Sequence, residues 1–70
     1  MNSITSAIYA LINKSDACIE KAAAVMTAYE LTGEPTFLDV AEYYAELSTD
    51  CNKIVQIMIE TLQKEQQLAI

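Results

Sequence analysis

The only glycine and the only proline of the chain stand two residues apart, within the stretch LTGEPTFLD at residues 31–39. A glycine just after a helix takes the left-handed conformation that ends it, and a proline cannot continue a helix from inside. Thr36, followed three residues later by Asp39, resembles a capping box that starts a helix, with Asp in place of Glu. This stretch therefore predicts that one helix ends near Thr32 and that another begins near Phe37.

On both sides of this turn, apolar residues recur at alternating steps of three and four, the spacing of helices that pack along one seam. The first helix is predicted over about 4–32, the turn over 33–36 and the second helix over about 37–67, in one domain covering 1–70. Because a short turn makes the two helices antiparallel neighbours, the predicted fold class is all-α, an antiparallel two-helix hairpin. The predicted dimer and core positions are Ile8, Leu11, Cys18, Ala22, Val25, Tyr29, Tyr44, Leu47, Cys51, Ile54 and Met58.

Folding the chain at its turn predicts which seam residues face each other. Cys18 falls opposite Cys51, and Ser15, a polar residue within the first seam, falls opposite Ile54. We expect the Ser15 hydroxyl to bond to the carbonyl one turn earlier in its own helix. Packed helices lie about 8–10 Å apart, whereas a disulfide needs Cα atoms within about 7 Å. Reduced, buried thiols are therefore the favoured interpretation, with a disulfide as the alternative.

A lone hairpin cannot bury all the apolar residues of this chain, of which 53% is hydrophobic. A second line of small residues follows the first helix, and three large ones lie off the second seam. These residues are Ala7, Ala10, Ala17, Ala24 and Ala28, with Tyr43, Ile57 and Ile59. A second copy would cover them, which predicts a homodimeric four-helix bundle. A different protein on the same surface, or a monomer, is the alternative.

The charge of the chain restricts its partners. The formal net charge is −6, and all four cations are lysines. Nucleic acids and anionic membranes are polyanions, so direct binding to either is not expected. The apolar runs are too short to span a bilayer, and the first lysine follows an apolar stretch instead of preceding it, unlike in a signal peptide. Together with two thiols expected to be reduced, this predicts a cytoplasmic protein.

Acidic residues recur at steps of three and four along the second helix, which places them on one ridge. The candidate partner-binding residues are Glu34, Asp39, Glu42, Tyr43, Glu46 and Asp50. The expected partner is a protein, and a basic one fits best. The alternative interpretation is that these carboxylates only solvate the outer side of the helix.

No catalytic, cofactor or metal site is predicted. The chain has no histidine, and a structural zinc site takes four Cys or His ligands where this chain offers two. The leading hypothesis is a non-enzymatic, acidic protein-interaction module of the regulator, inhibitor or co-chaperone type. The alternatives are a structural subunit of a larger helical assembly, and an acidic mimic of a phosphate backbone that sequesters a nucleic-acid-binding protein.

Overall fold

Two long α-helices make up the protein. The computed structural model describes the backbone of residues 3–68 and the side chains of residues 3–66. Helix α1 spans Ser3–Thr32 and helix α2 spans Pro35–Leu68, and the two pack against each other along their length. The predicted all-α hairpin is confirmed. Neither described helix carries an apolar run long enough to cross a membrane.

Gly33 ends α1 in the way that the sequence predicts. Its φ angle is 72°, and its N–H donates to the Tyr29 carbonyl at 2.7 Å, the bond of a left-handed helix cap. The Thr32 hydroxyl donates to the Ala28 carbonyl at 2.7 Å and accepts from the Glu34 N–H at 3.2 Å. The Thr32 side chain thus links the last turn of α1 to the first residue after the glycine.

The start of α2 differs from the prediction. Pro35 is the first helical residue, where its fixed φ suits a helix and its missing N–H leaves no bond unmade. The Glu34 carboxylate oxygen Oε1 accepts from the Thr36 hydroxyl at 3.1 Å and from the Thr36 N–H at 3.5 Å, and the Phe37 N–H donates to the Glu34 carbonyl at 3.1 Å. The predicted capping box of Thr36 with Asp39 is wrong, because Glu34 caps the helix two residues earlier.

The centre of the hairpin consists of small and medium side chains. Its buried members are Ile8, Ser15, Cys18, Ala41, Ser48, Cys51 and Val55. The other predicted seam residues except Ile54 are half-buried, namely Leu11, Ala22, Val25, Tyr29, Tyr44, Leu47 and Met58. Among residues 3–66, no large side chain is fully enclosed.

Every second position of the α2 seam is one residue later than predicted, while Cys51 stays buried as predicted. Val55 is 8% exposed, whereas Ile54 is 47% exposed, so the prediction that Ile54 faces Ser15 is wrong. The buried line of α2 passes through Ala41, Ser48 and Val55 at steps of seven. The small residues of this line allow the two helices to pack closely. This close packing outweighs the larger apolar area of the neighbouring line, which runs through Leu47 and Ile54.

The hairpin is a thin rod. Its Cα atoms extend over 58 × 18 × 11 Å, and its radius of gyration is 16.5 Å, against about 11 Å for a compact chain of this length. Its accessible surface is 5214 Å², whereas a typical folded monomer of 7.7 kDa exposes about 4300 Å². The single hairpin therefore leaves about 900 Å² more surface in contact with water than a compact domain of the same mass.

Candidate interaction surfaces

A polar cluster lies at the middle of the helix pair. Ser15 Oγ is 2.8 Å from Ser48 Oγ and 3.1 Å from Asn52 Oδ1. Ser15 and Ser48 are 3% and 4% exposed. The carboxamide oxygen only accepts and a serine hydroxyl has one proton, so Ser15 donates to Asn52 and accepts from Ser48. The expected bond from Ser15 to its own helix is therefore wrong; its partners are on α2.

This cluster fixes which sides of the two helices lie together. Ser15 is one turn from both Ile12 and Ile19 on the surface of α1, and Asn52 lies between Ala45 and Ile59 on α2. The bond from Ser15 to Asn52 places both lines on the same side of the hairpin. We call this side the uncharged face; it consists of Thr5, Ile12, Ile19 and Met26 with Leu38, Ala45, Asn52 and Ile59.

The uncharged face is open. Ile12 and Ile19 are exposed, Ile19 by 53% of its surface, and Met26, Leu38 and Ile59 are only half-buried. Ala45 and Asn52 are exposed as well, so the middle of the α2 line is small or polar. The hairpin thus presents an apolar strip to water on this side, and the Ser15–Asn52 bond lies at its centre.

A second contact identifies the opposite side. The ammonium of Lys21 lies 5.7 Å from the centroid of the Tyr44 ring, which in turn meets Tyr43 edge to face at 5.5 Å. A cation over an aromatic ring is attracted by its negative π face. We call this side the lysine face; it consists of Ala7, Lys14, Lys21 and Ala28 with Val40, Leu47, Ile54 and Thr61. The alanines Ala10, Ala17 and Ala24 are exposed beyond it.

The candidate partner-binding residues are all exposed. Asp39, Glu42, Glu46 and Asp50 form the acidic ridge, on the side of α2 that points away from α1, and Glu34 and Tyr43 flank it. A shallow groove of about 300 Å³ follows the middle of the ridge, lined by Ala45, Glu46, Thr49, Asp50 and Lys53. The structure therefore brings these carboxylates together on an accessible surface. The lysine nearest to Asp50 in sequence is Lys53.

Reactive groups are scarce in the part of the chain that the structure describes. Cys18 and Cys51 are free and buried. Among the side chains of residues 3–66, no three Cys, Asp or Glu come together as a metal site would require. Each buried side-chain nitrogen or oxygen in this range has a hydrogen-bond partner.

Comparison with protein-family models, with curated proteins and with solved structures finds no match to this chain. Function therefore has to be inferred from the hairpin's own surfaces.

Proposed function

We propose that this chain is a non-enzymatic, acidic protein-interaction module that works as a pair of hairpins and binds another protein through the acidic ridge. The observation that carries the proposal is that small side chains fill the core while large apolar side chains lie on the surface. The buried residues are mostly small, while Tyr43, Ile19 and Ile57 are more than half exposed. Large hydrophobic residues exposed over a long helix pair are typical of surfaces that bind protein.

The amount of exposed surface supports pairing. The excess of about 900 Å² over a compact monomer is close to the roughly 800 Å² that each partner buries in a standard protein–protein interface. A homodimeric four-helix bundle would bury this excess while leaving the outer side of α2 accessible. A short chain with so small a core also gains stability from a second copy.

The acidic ridge supports a basic protein as the second partner. Its four carboxylates are exposed on one side of α2 within a chain of net charge −6. Such a surface steers a positively charged protein towards it and repels polyanions. Regulation or inhibition of a basic protein in the cytoplasm is the activity that this arrangement suits best.

A structural subunit of a larger helical assembly is the second candidate. Large apolar residues are exposed on both edges of the hairpin, Ile12 and Ile19 on one and Tyr43 and Ile54 on the other. A two-copy bundle would cover one edge only. Further helices on the other edge would make a larger assembly, and the uncovered edge favours this candidate over an acidic mimic of nucleic acid.

The acidic ridge is tested by the double charge reversal Glu42→Lys with Glu46→Lys. A control with the same change in net charge exists in Glu20→Lys with Glu60→Lys, since both residues are exposed and neither belongs to the ridge or to the two faces. The wild-type chain, carrying an affinity tag, is expressed in its own source cell, and the protein that co-purifies is identified. We expect the ridge variant to bind that protein at least about tenfold more weakly at low salt, and by a smaller factor at high salt, because screening weakens exposed charge pairs.

The control variant should bind as the wild type does, since it changes the net charge by the same amount away from the ridge. If both variants bound the protein equally weakly, the loss of binding would come from the change in net charge and not from the ridge. Unchanged binding of the ridge variant would contradict the proposed docking surface.

A further inference from the structure

We infer that the second copy binds on the uncharged face, with α1 of each hairpin lying over α2 of the other and both turns at the same end. This inference rests on the proposed pairing of hairpins and specifies its surface and its direction. Three independent features of the face lead to it, namely its charge, its pattern of large and small residues and its area.

Charge selects this face for self-association. Two copies of a chain with net charge −6 repel each other, and the repulsion is weakest where they meet on a surface without charged side chains. The chain has ten acids and four lysines, and none of them is among the eight residues of the uncharged face. Asp16 and Glu30 on α1 and Glu42 on α2 lie at its edge. The cores of protein interfaces are depleted of charge in the same way.

The lysine face is less suited to this role. It carries Lys14 and Lys21 within its α1 line, and both are exposed. A second copy on that side would have to desolvate four ammonium groups, two from each chain, near the middle of the interface, which is unfavourable unless each finds a partner.

The pattern of large and small residues sets the direction of pairing. Read across the hairpin, the uncharged face has four layers, namely Thr5 with Ile59, Ile12 with Asn52, Ile19 with Ala45, and Met26 with Leu38. In the two central layers the large side chain is on α1 and the smaller one on α2. A twofold axis along the hairpin places α1 of one copy over α2 of the other. Each central isoleucine then lies over a smaller residue, and large against small fills space.

The opposite direction of pairing would place α1 over α1. The isoleucines of the two copies would then meet each other, while Ala45 would face the second α2 across a gap. Both directions make every neighbouring helix pair in the bundle antiparallel, as in four-helix bundles, so the side-chain pattern alone separates them.

The area of the face is sufficient. The hairpin extends over 58 × 18 Å, which gives a footprint of roughly 1000 Å² per copy, compared with about 800 Å² per partner in a standard stable interface. Asn52 lies at the centre of this area, with its oxygen already bonded to Ser15.

The face is tested with Ile19→Asp and the matched control Ile57→Asp. Ile57 lies outside both faces and is 62% exposed, against 53% for Ile19, so each variant adds one carboxylate at a comparably exposed isoleucine. Sedimentation equilibrium gives the mass, and circular dichroism at 222 nm checks that the helices persist. We expect Ile19→Asp to weaken the pair by at least about a hundredfold, since each copy would bury an unpaired charge, and Ile57→Asp to leave it unchanged.

The direction is tested by cross-linking in a Cys18→Ala, Cys51→Ala background, which removes both native thiols. One preparation carries Ile19→Cys and a second, labelled with ¹⁵N, carries Ala45→Cys. A short bis-maleimide is added to each preparation and to their mixture. We expect the mixed product to dominate, because Ile19 of one copy lies over Ala45 of the other. A dominant product within the Ile19→Cys preparation alone would overturn the direction of pairing.

These results separate the inference from the proposed function. If the wild type and Ile19→Asp form equally stable pairs, the uncharged face is not the interface, and the proposed pairing still stands. If the wild type has the mass of one chain at every concentration tested, pairing itself fails, and both the inference and that part of the proposed function are overturned.

Discussion

The buried serine pair gives the sharpest test of the hairpin's register. Ser15→Ala removes the 2.8 Å bond to Ser48 and the 3.1 Å bond to Asn52. Ser48 is only 4% exposed, so its hydroxyl loses its partner across the helix pair away from water. A buried polar group left without a partner costs about 1–3 kcal/mol. We therefore expect Ser15→Ala to lower the free energy of unfolding by about 1–3 kcal/mol.

Ser48→Ala should cost less, about 0.5–1.5 kcal/mol, because Ser15 keeps its bond to Asn52. The double variant removes both buried hydroxyls and leaves none unpaired. Replacing both partners by apolar groups is nearly neutral, so its total cost should not exceed that of Ser15→Ala alone. The two substitutions are thus expected to be non-additive by about 1 kcal/mol.

Urea unfolding followed by circular dichroism at 222 nm measures these changes. All samples need the same protein concentration, because the proposed pairing would link stability to concentration. Thr49→Ala is the control, since Thr49 is exposed and bonds only to the Ala45 carbonyl of its own helix. It should change stability by less than about 0.5 kcal/mol. Fully additive effects of the two serine substitutions would refute the reasoning, as they would mean that the two hydroxyls do not interact.

Two further substitutions test the core and the turn. Cys18→Ala should lower the free energy of unfolding by about 1–3 kcal/mol through lost packing, without changing partner binding, because Cys18 is buried at the centre of the hairpin; normal stability with lost binding would contradict its place in the core. Gly33→Ala should cost about 1–2 kcal/mol, because the φ of 72° strains any residue with a Cβ while no atom within 4 Å would clash with it. Thermal unfolding should show the glycine effect as a fall of several degrees in Tm, and an unchanged Tm would mean that the turn relaxes to another conformation.

The turn could be predicted from sequence because two residues restrict it chemically. Gly33 and Pro35 each permit few backbone conformations, and together they leave room only for a helix end followed by a helix start. The start of α2 was predicted two residues late because Glu34 is not among the usual capping residues, although a proline at the first helical position is itself a recognised signal.

The register of α2 was harder to predict because it depends on small and polar residues. Apolar periodicity favours the line through Leu47 and Ile54, which has more hydrophobic area than the line through Ala41 and Ser48. The structure buries the second line, since its small side chains let α1 approach and Ser48 meets Ser15. This register could have been predicted by placing the two seam serines, Ser15 and Ser48, opposite each other.

The acidic ridge follows directly from sequence, because residues three and four apart on a long helix share a side whatever the helix packs against. The uncharged face does not follow so directly. Its two lines belong to different helices, and only the contact between Ser15 and Asn52 shows that they lie on the same side of the hairpin. Periodicity within one helix does not predict which residues of the two helices contact each other.

The central claim, that the hairpin is completed by a second copy, is tested most directly by the mass of the wild-type protein in solution. Sedimentation equilibrium at several micromolar concentrations should give twice the chain mass of 7.7 kDa, with the helices intact by circular dichroism. A mass of 7.7 kDa at every concentration, from a chain that is still folded, would contradict the claim.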